Sequence, residues 1–221
     1  MKETPSMCTC GKPDPIRRRL LTGIAAVTAF GRLRPASAMT AGSGTLHQSS
    51  GDVLINGKSA QSGSAVVSGD TVATGPDGQA VFTLGDDAFL LRPEGAATVA
   101  DGRDGREINL DSGRILSVFG PKRITLKTPL ASVGIRGTAV YLESRPAVTN
   151  ICVCYGRAVM VPVGDPAKAE EVQTHHHDAP RRIFPPGRDP VMEPYTVIDH
   201  TDEELVMLEA LLGRVPPFMR R

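Results

Sequence analysis

The chain has 221 residues, of which 25 are Lys or Arg and 24 are Asp or Glu, a formal net charge of +1. That balance excludes a partner held mainly by phosphate neutralisation, so no nucleic acid is expected. Hydrophobic residues make up 40%, enough for a core and too many for a fully disordered chain. Aromatics are only 4%, so the core has to come from Val, Ile, Leu and Ala, and the 23 Gly and 18 Pro favour short strands over long helices.

The charge is uneven. Residues 1–38 carry seven basic side chains against two acids, +5, which leaves 18 basic and 22 acidic groups, −4, in the remainder. This start has the parts of an export signal in order: basic residues, an apolar run over residues 20–30, and the small-residue site Ala36-Ser37-Ala38. Arg17 and Arg18, followed by Arg19 and the apolar Leu20 and Leu21, resemble the twin-arginine export signal. Cleavage after Ala38 would begin the mature chain at Met39. A general secretory signal and an uncleaved signal anchor are the alternatives. No apolar run reaches the ~20 residues of a membrane-spanning helix, so none is expected in the mature chain, whose expected location is the periplasm. Cys8 and Cys10 fall in the signal, leaving Cys152 and Cys154 in an oxidising compartment.

Residues 39–50, rich in Gly, Ser and Thr, read as a flexible lead-in. From residue 51 to 163, short strands recur every 8 to 12 residues between turn signals, the pattern of an all-β domain, solenoid-like, sandwich-like or barrel-like. Asn56-Gly57 marks a hairpin and Gly75-Pro76-Asp77-Gly78 a turn. Between them Gly69-Asp70 precedes the strand at Thr71–Thr74. Ala80, Phe82 and Leu84 alternate onto one face, and Asp70, Asp77, Asp86 and Asp87 read as turn acids rather than Ca²⁺ ligands. Residues 164–200, rich in Pro with a His triplet, read as an extended segment. Thr201-Asp202-Glu203-Glu204 opens a C-terminal α-helix over 201–213 with a capping box, and Leu205, Leu208 and Leu212 are expected to dock on the β domain.

Several of these elements resemble a FecR-type domain. They are Gly69-Asp70-Thr71-Val72-Ala73-Thr74-Gly75, Asp86-Asp87-Ala88-Phe89-Leu90-Leu91, Lys127-Thr128-Pro129-Leu130, Gly134-Ile135-Arg136-Gly137-Thr138 and Tyr155-Gly156-Arg157-Ala158, in the family's order over about residues 51–163. The resemblance implies a periplasmic all-β signalling domain, which in iron-uptake systems takes a signal from an outer-membrane transporter and passes it to a sigma factor. Here an export signal stands where that family has a cytosolic anti-sigma segment and a membrane helix. The expectation is therefore a non-enzymatic module that binds an envelope protein or ligand and does not itself hold a sigma factor.

Two groups carry candidate chemistry. Arg136-Gly137-Thr138 reads as a structural corner in which Gly137 relaxes the backbone and the flanking side chains bond to backbone. Cys152-Val153-Cys154 lies on a predicted strand, where residues two apart share a side. The pair could form a strained disulfide, sit as two apolar thiols, or grip a soft metal. His175 and His177 would complete a tetrahedral site for Zn or Cu if the segments meet. The sequence has no Gly-x-Ser-x-Gly elbow, no His-Glu-x-x-His and no phosphate loop, so no catalysis is expected.

Overall fold

In a computed structural model of the chain, residues 42–196 and 199–220 are described. The expected signal residues Arg17, Arg18, Leu20, Leu21, Ala36 and Ala38 lie outside them. Turn chemistry sets the first elements. Strand β1 spans Ser43–Ser50, and β2 (Val53–Ile55) turns through Asn56 and Gly57 into β3 (Lys58–Ser59). Both turn residues have positive φ, 52° and 75°, as a two-residue hairpin of this type needs. β4 (Ala65–Val67), β5 (Thr71–Thr74), β6 (Gln79–Leu84), β7 (Asp87–Leu91) and β8 (Ala96–Gly102) follow. Three long strands come next: β9 (Gly105–Val118), β11 (Ala131–Arg145) and β12 (Val148–Pro162), with the short β10 (Arg123–Lys127) between the first two.

Among the described residues, all the strands join one mixed sheet, and the one α-helix is the C-terminal α1 (Asp202–Leu211). Pairing is antiparallel except between β9 and β10, where Ile124 lies beside Arg106 and Lys127 beside Asn109 in parallel. Each β10 residue there sits 18 positions after its β9 partner. Among the described residues, no helix is long and apolar enough to cross a membrane.

Two expectations change. Residues 43–50 of the expected lead-in form a strand: β1 pairs with β4 and β6, and Leu46 is fully buried. Its Gly and Ser content signals flexibility only until a neighbouring strand supplies the hydrogen bonds. The segment 164–200 likewise contains β13 (Glu170–Thr174), β14 (Arg181–Ile183) and β15 (Met192–Pro194), the first two paired to β12. β12 is long enough to seat both along one edge.

The central strands are buried on both faces. Ala80, Phe82 and Leu84 share one face as predicted, and with Phe89, Ile115, Val140, Leu142, Ile151 and Val153 they form the main core. The opposite faces of the same strands present Val81, Leu90, Leu116, Tyr141, Cys152 and Cys154, which α1 covers with Leu205 and Leu208. A ten-residue helix is too short to persist alone. Burying each leucine contributes about 1.5–3 kcal/mol, so the helix exists because it docks. The capping box forms as predicted: Thr201 Oγ1 accepts from the Glu204 N–H, and Glu204 accepts from the Thr201 N–H.

Asp87 is not the turn acid expected of it. It is fully buried on β7, where Oδ2 pairs with Arg106 Nη1 at 2.6 Å and Oδ1 accepts the Gly120 N–H at 2.8 Å. Arg106, also buried, donates to the Leu84 carbonyl and to both oxygens of Asp101. This network fastens β7 and β8 to β9. The hydrogen bond from Arg106 holds the Asp101 carboxyl below its ordinary range. Its stabilising share is therefore present above the unfolded-state value and is lost as pH falls through the lower folded value. Arg106→Met leaves Asp87 buried without its main partner and should destabilise the fold by about 3–5 kcal/mol in urea titration. It should also flatten the stability loss on acidification below about pH 4 that Asp101 contributes. A loss under about 1 kcal/mol would show that the pair carries little.

Candidate metal centre

The site begins with a strand and a bulge. Along β12, Ile151 and Val153 enter the main core while Cys152 enters the cluster under α1. The register against β11 then shifts: Val153 opposes Val140, but Tyr155 opposes Ala139, leaving Cys154 as the extra residue. Cys152 and Cys154 share the helix side by strand alternation, and the bulge, which redirects side chains, adds Tyr155 to it. Gly156 follows with φ +97°, and a Cβ there would stand 2.6 Å from the Thr138 Cβ, so only glycine fits at the exit of the bulge.

The histidines arrive from two other segments. After β13, Asp178 Oδ2 accepts the N–H groups of His175 and His176, closing a tight turn. His177 sits in the left-handed region at φ 56°, and its N–H donates to the Cys154 carbonyl at 3.0 Å. This sparsely populated backbone state is held in place by the turn and turns the ring towards β12. His200 comes from the residue before the helix cap. Arg92 fixes that point by donating to the Asp199 carbonyl at 2.6 Å and to Glu204 at 2.8 and 2.9 Å. The His200 ring stacks on Tyr141, with centroids 4.8 Å apart and 12° between planes.

Four donor atoms converge. Cys152 Sγ lies 3.3 Å from His177 Nδ1, Cys154 Sγ 3.4 Å from His200 Nε2, and the two ring nitrogens are 3.0 Å apart. All four donor atoms lie within 4.8 Å of one another. A tetrahedron with Zn–N near 2.0–2.1 Å and Zn–S near 2.3 Å has edges of about 3.3–3.8 Å, so the set is close to a coordination shell and slightly contracted. The cysteines are free and buried, not disulfide-bonded. Asp202, the first residue of α1, receives the other nitrogen of His177 at 3.2 Å and His176 Nε2 at 2.8 Å. A carboxylate behind a ligating imidazole is what orients such a ring and raises its basicity. The second nitrogen of His200 is buried without a hydrogen-bonding partner among the described residues. A cavity of about 590 Å³ opens in front of His177, His200 and Asp202.

The electrostatics are those of a poised pair. The Cys154 thiol, then His177 and His200, draw the Cys152 thiol well below its ordinary value by hydrogen bonding, against the opposing effect of burial. Burial pushes the Cys154 thiol up. The Cys152 sulfur, and after it Asp202, raise His177. At Asp202 burial works upward, yet the hydrogen bonds from His176 and His177 outweigh it and lower the carboxyl. These shifts favour the thiolate form of Cys152 and the protonated form of His177. Cys152, His177 and Asp202 also stand in the order of nucleophile, base and orienting carboxylate. Cys152 is buried, yet it borders the cavity that opens before His177, His200 and Asp202.

Of the predicted ligands, Cys152, Cys154 and His177 come together and His175 does not. His175 is exposed, and its backbone anchors the turn. His200 takes its place, 46 residues from Cys154 along the chain. The sequence signal for it was its position directly before Thr201 of the capping box, which pins it where the helix meets the sheet. The FecR-like positions are mostly structural. Asp70 closes its turn by accepting the Val67 N–H at 2.7 Å, next to Gly69 at φ +96°. Thr128 Oγ1 accepts the Ala131 N–H at 3.0 Å around Pro129. Gly137 has φ 56°, and Thr138 donates to a backbone carbonyl as expected. Arg136 does not: among the described residues its side chain bonds to no backbone group, and it is exposed.

No known protein family matches the sequence, and no curated protein does. Among solved structures, two crystal structures of a putative anti-sigma factor from Parabacteroides distasonis ATCC 8503 are similar to this chain. Each is 10% identical with a TM-score of 0.48, over 63% of this chain and 64% of that one. The chain thus matches slightly less than two thirds of that protein's length.

Gly156→Ala should cost more than about 1 kcal/mol in thermal or urea unfolding, since it combines a left-handed backbone with a steric overlap. A neutral effect would show that the bulge can relax without Gly156.

Proposed function

We propose that this protein is an exported, non-enzymatic β domain that holds one soft metal ion, Zn²⁺ foremost, through Cys152, Cys154, His177 and His200. One observation carries the reading: two sulfurs and two imidazole nitrogens, from three separate segments, converge within 4.8 Å of one another. Two thiolates with two imidazoles suit Zn²⁺, and Cu⁺ is the next choice. Four protein ligands leave no open coordination position, which supports a structural role over a catalytic one. The ion would tie β12, the His loop and the start of α1 together, and binding would release the proton that burial keeps on Cys154.

The resemblance of residues 51–163 to FecR-type domains supports a wider role as a periplasmic ligand- or protein-binding module without its own anti-sigma segment. The basic, apolar and small-residue order of residues 1–38 supports export by the twin-arginine route.

Protein purified from the periplasm should contain about one Zn per chain by elemental analysis, and Co²⁺ exchange should give the visible bands of a tetrahedral thiolate site. Cys152→Ser with Cys154→Ser, and separately His200→Ala, should abolish this, while His175→Ala should not. Asp202→Asn should weaken the metal about 10–100-fold with the ligands intact. Metal-free wild-type protein with an intact fold and no Co²⁺ spectrum would overturn the assignment. Arg17→Lys with Arg18→Lys should block translocation; unimpaired export would exclude the twin-arginine route.

A further inference from the structure

A second site lies on the outer face of the sheet, built from residues the metal centre does not use. Arg123 on β10 stands directly opposite Arg136 on β11, and Arg136 directly opposite Arg157 on β12. Three cations therefore form one row across three adjacent strands. Like charges in direct cross-strand register repel. Nothing in the chain relieves the first two: among the described residues, neither the Arg123 nor the Arg136 side chain has a hydrogen-bonding or ionic partner, and both are exposed. Arg157 alone has partners, Glu171 at 3.2 Å and Gln173 at 3.1 Å, and they lie on its far side on β13. The part of the chain after residue 38 carries a net −4, which makes a row of arginines without intervening acids more pointed.

Next to the row is a notch. One step along the same face, Thr125, Gly134 and Val159 oppose one another on the same three strands. Gly134 has no side chain, and a Cβ there would meet nothing within 4 Å, so the space is open rather than filled by a neighbour. Val159 is 38% exposed on its wall. Together these positions line a cavity of about 850 Å³ with Lys122 at its rim and no acidic residue in its lining. Guanidinium groups present a planar fork of donors that matches carboxylate and phosphate oxygens two at a time, which suits a fixed row better than a diffuse charge would.

We propose that this face binds a small amphiphilic oxyanion. Its carboxylate or phosphate head lies against Arg123, Arg136 and Arg157, and its apolar body lies over Gly134 against Val159. The head satisfies the repelling row, and the notch gives the apolar part a place between the flanking side chains.

The test uses the full-length protein, ¹⁵N-labelled, titrated with octanoate, octyl phosphate and octyltrimethylammonium below their micelle concentrations. Saturable shifts of the Gly134 and Gly137 amides are expected with one or both anions and not with the cation. Which head group binds more tightly distinguishes a carboxylate from a phosphate ligand. Arg136→Ala should weaken binding at least tenfold with an unchanged or raised melting temperature, because removing it relieves repulsion. Arg136→Lys should recover only part of the affinity, and Gly134→Val should block the alkyl chain. Absence of saturable shifts with both anions, equal binding of the cation, or wild-type affinity in Arg136→Ala would each overturn the proposal.

Discussion

On β12, alternate side chains enter two different interiors. Ile151 and Val153 belong to the main core, and Cys152 belongs to the cluster beneath α1. A strand buried on both faces cannot slip by one residue without placing its thiols in the core and its aliphatic side chains under the helix. The bulge at Cys154 adds to this constraint by bringing Tyr155 to the same side as the two sulfurs. The placing of the His loop, the start of α1 and the edge strands β13 and β14 is arranged around that one strand.

The helix is held by chemistry as well as by its leucines. Glu209, buried on α1, accepts from the Tyr155 hydroxyl and pairs with Arg214, whose guanidinium also reaches the Asp86 carbonyl at 3.2 Å. At the other end, Arg92 grips Asp199 and Glu204. A short helix fastened at both ends delivers His200 and Asp202 to fixed positions, which a freely docked amphipathic helix would not. The proposed metal would act on an arrangement already organised by these contacts, so its binding energy would go into locking segments together rather than into finding them.

The two proposed sites differ in the kind of imbalance they leave. At the metal centre, soft donors are gathered in a buried space where a bare thiolate is hard to solvate. At the arginine row, like charges are gathered on a surface where water screens them. The first is the more costly arrangement and the more specific in ligand. The second is inexpensive, which is why exposed arginines alone say little and the adjoining open notch matters.

The sequence by itself determined the class of the fold and much of its local chemistry. The Asn56-Gly57 hairpin, the face carrying Ala80, Phe82 and Leu84, the capping box at Thr201 and the shared side of Cys152 and Cys154 are short-range consequences of residue type and period. It did not reveal that residues 43–50, 170–174, 181–183 and 192–194 are strands, because their signal is weak until β6, β12 and β14 offer hydrogen-bonding edges. It misplaced Asp87, whose partner Arg106 is 19 residues away, and it chose His175 over His200. Only the tertiary structure decided those points. An acid in a turn motif and an acid beside a buried guanidinium are the same letter, and a ligand contributed 46 residues away is set by where a helix docks, not by the spacing of neighbours in the chain.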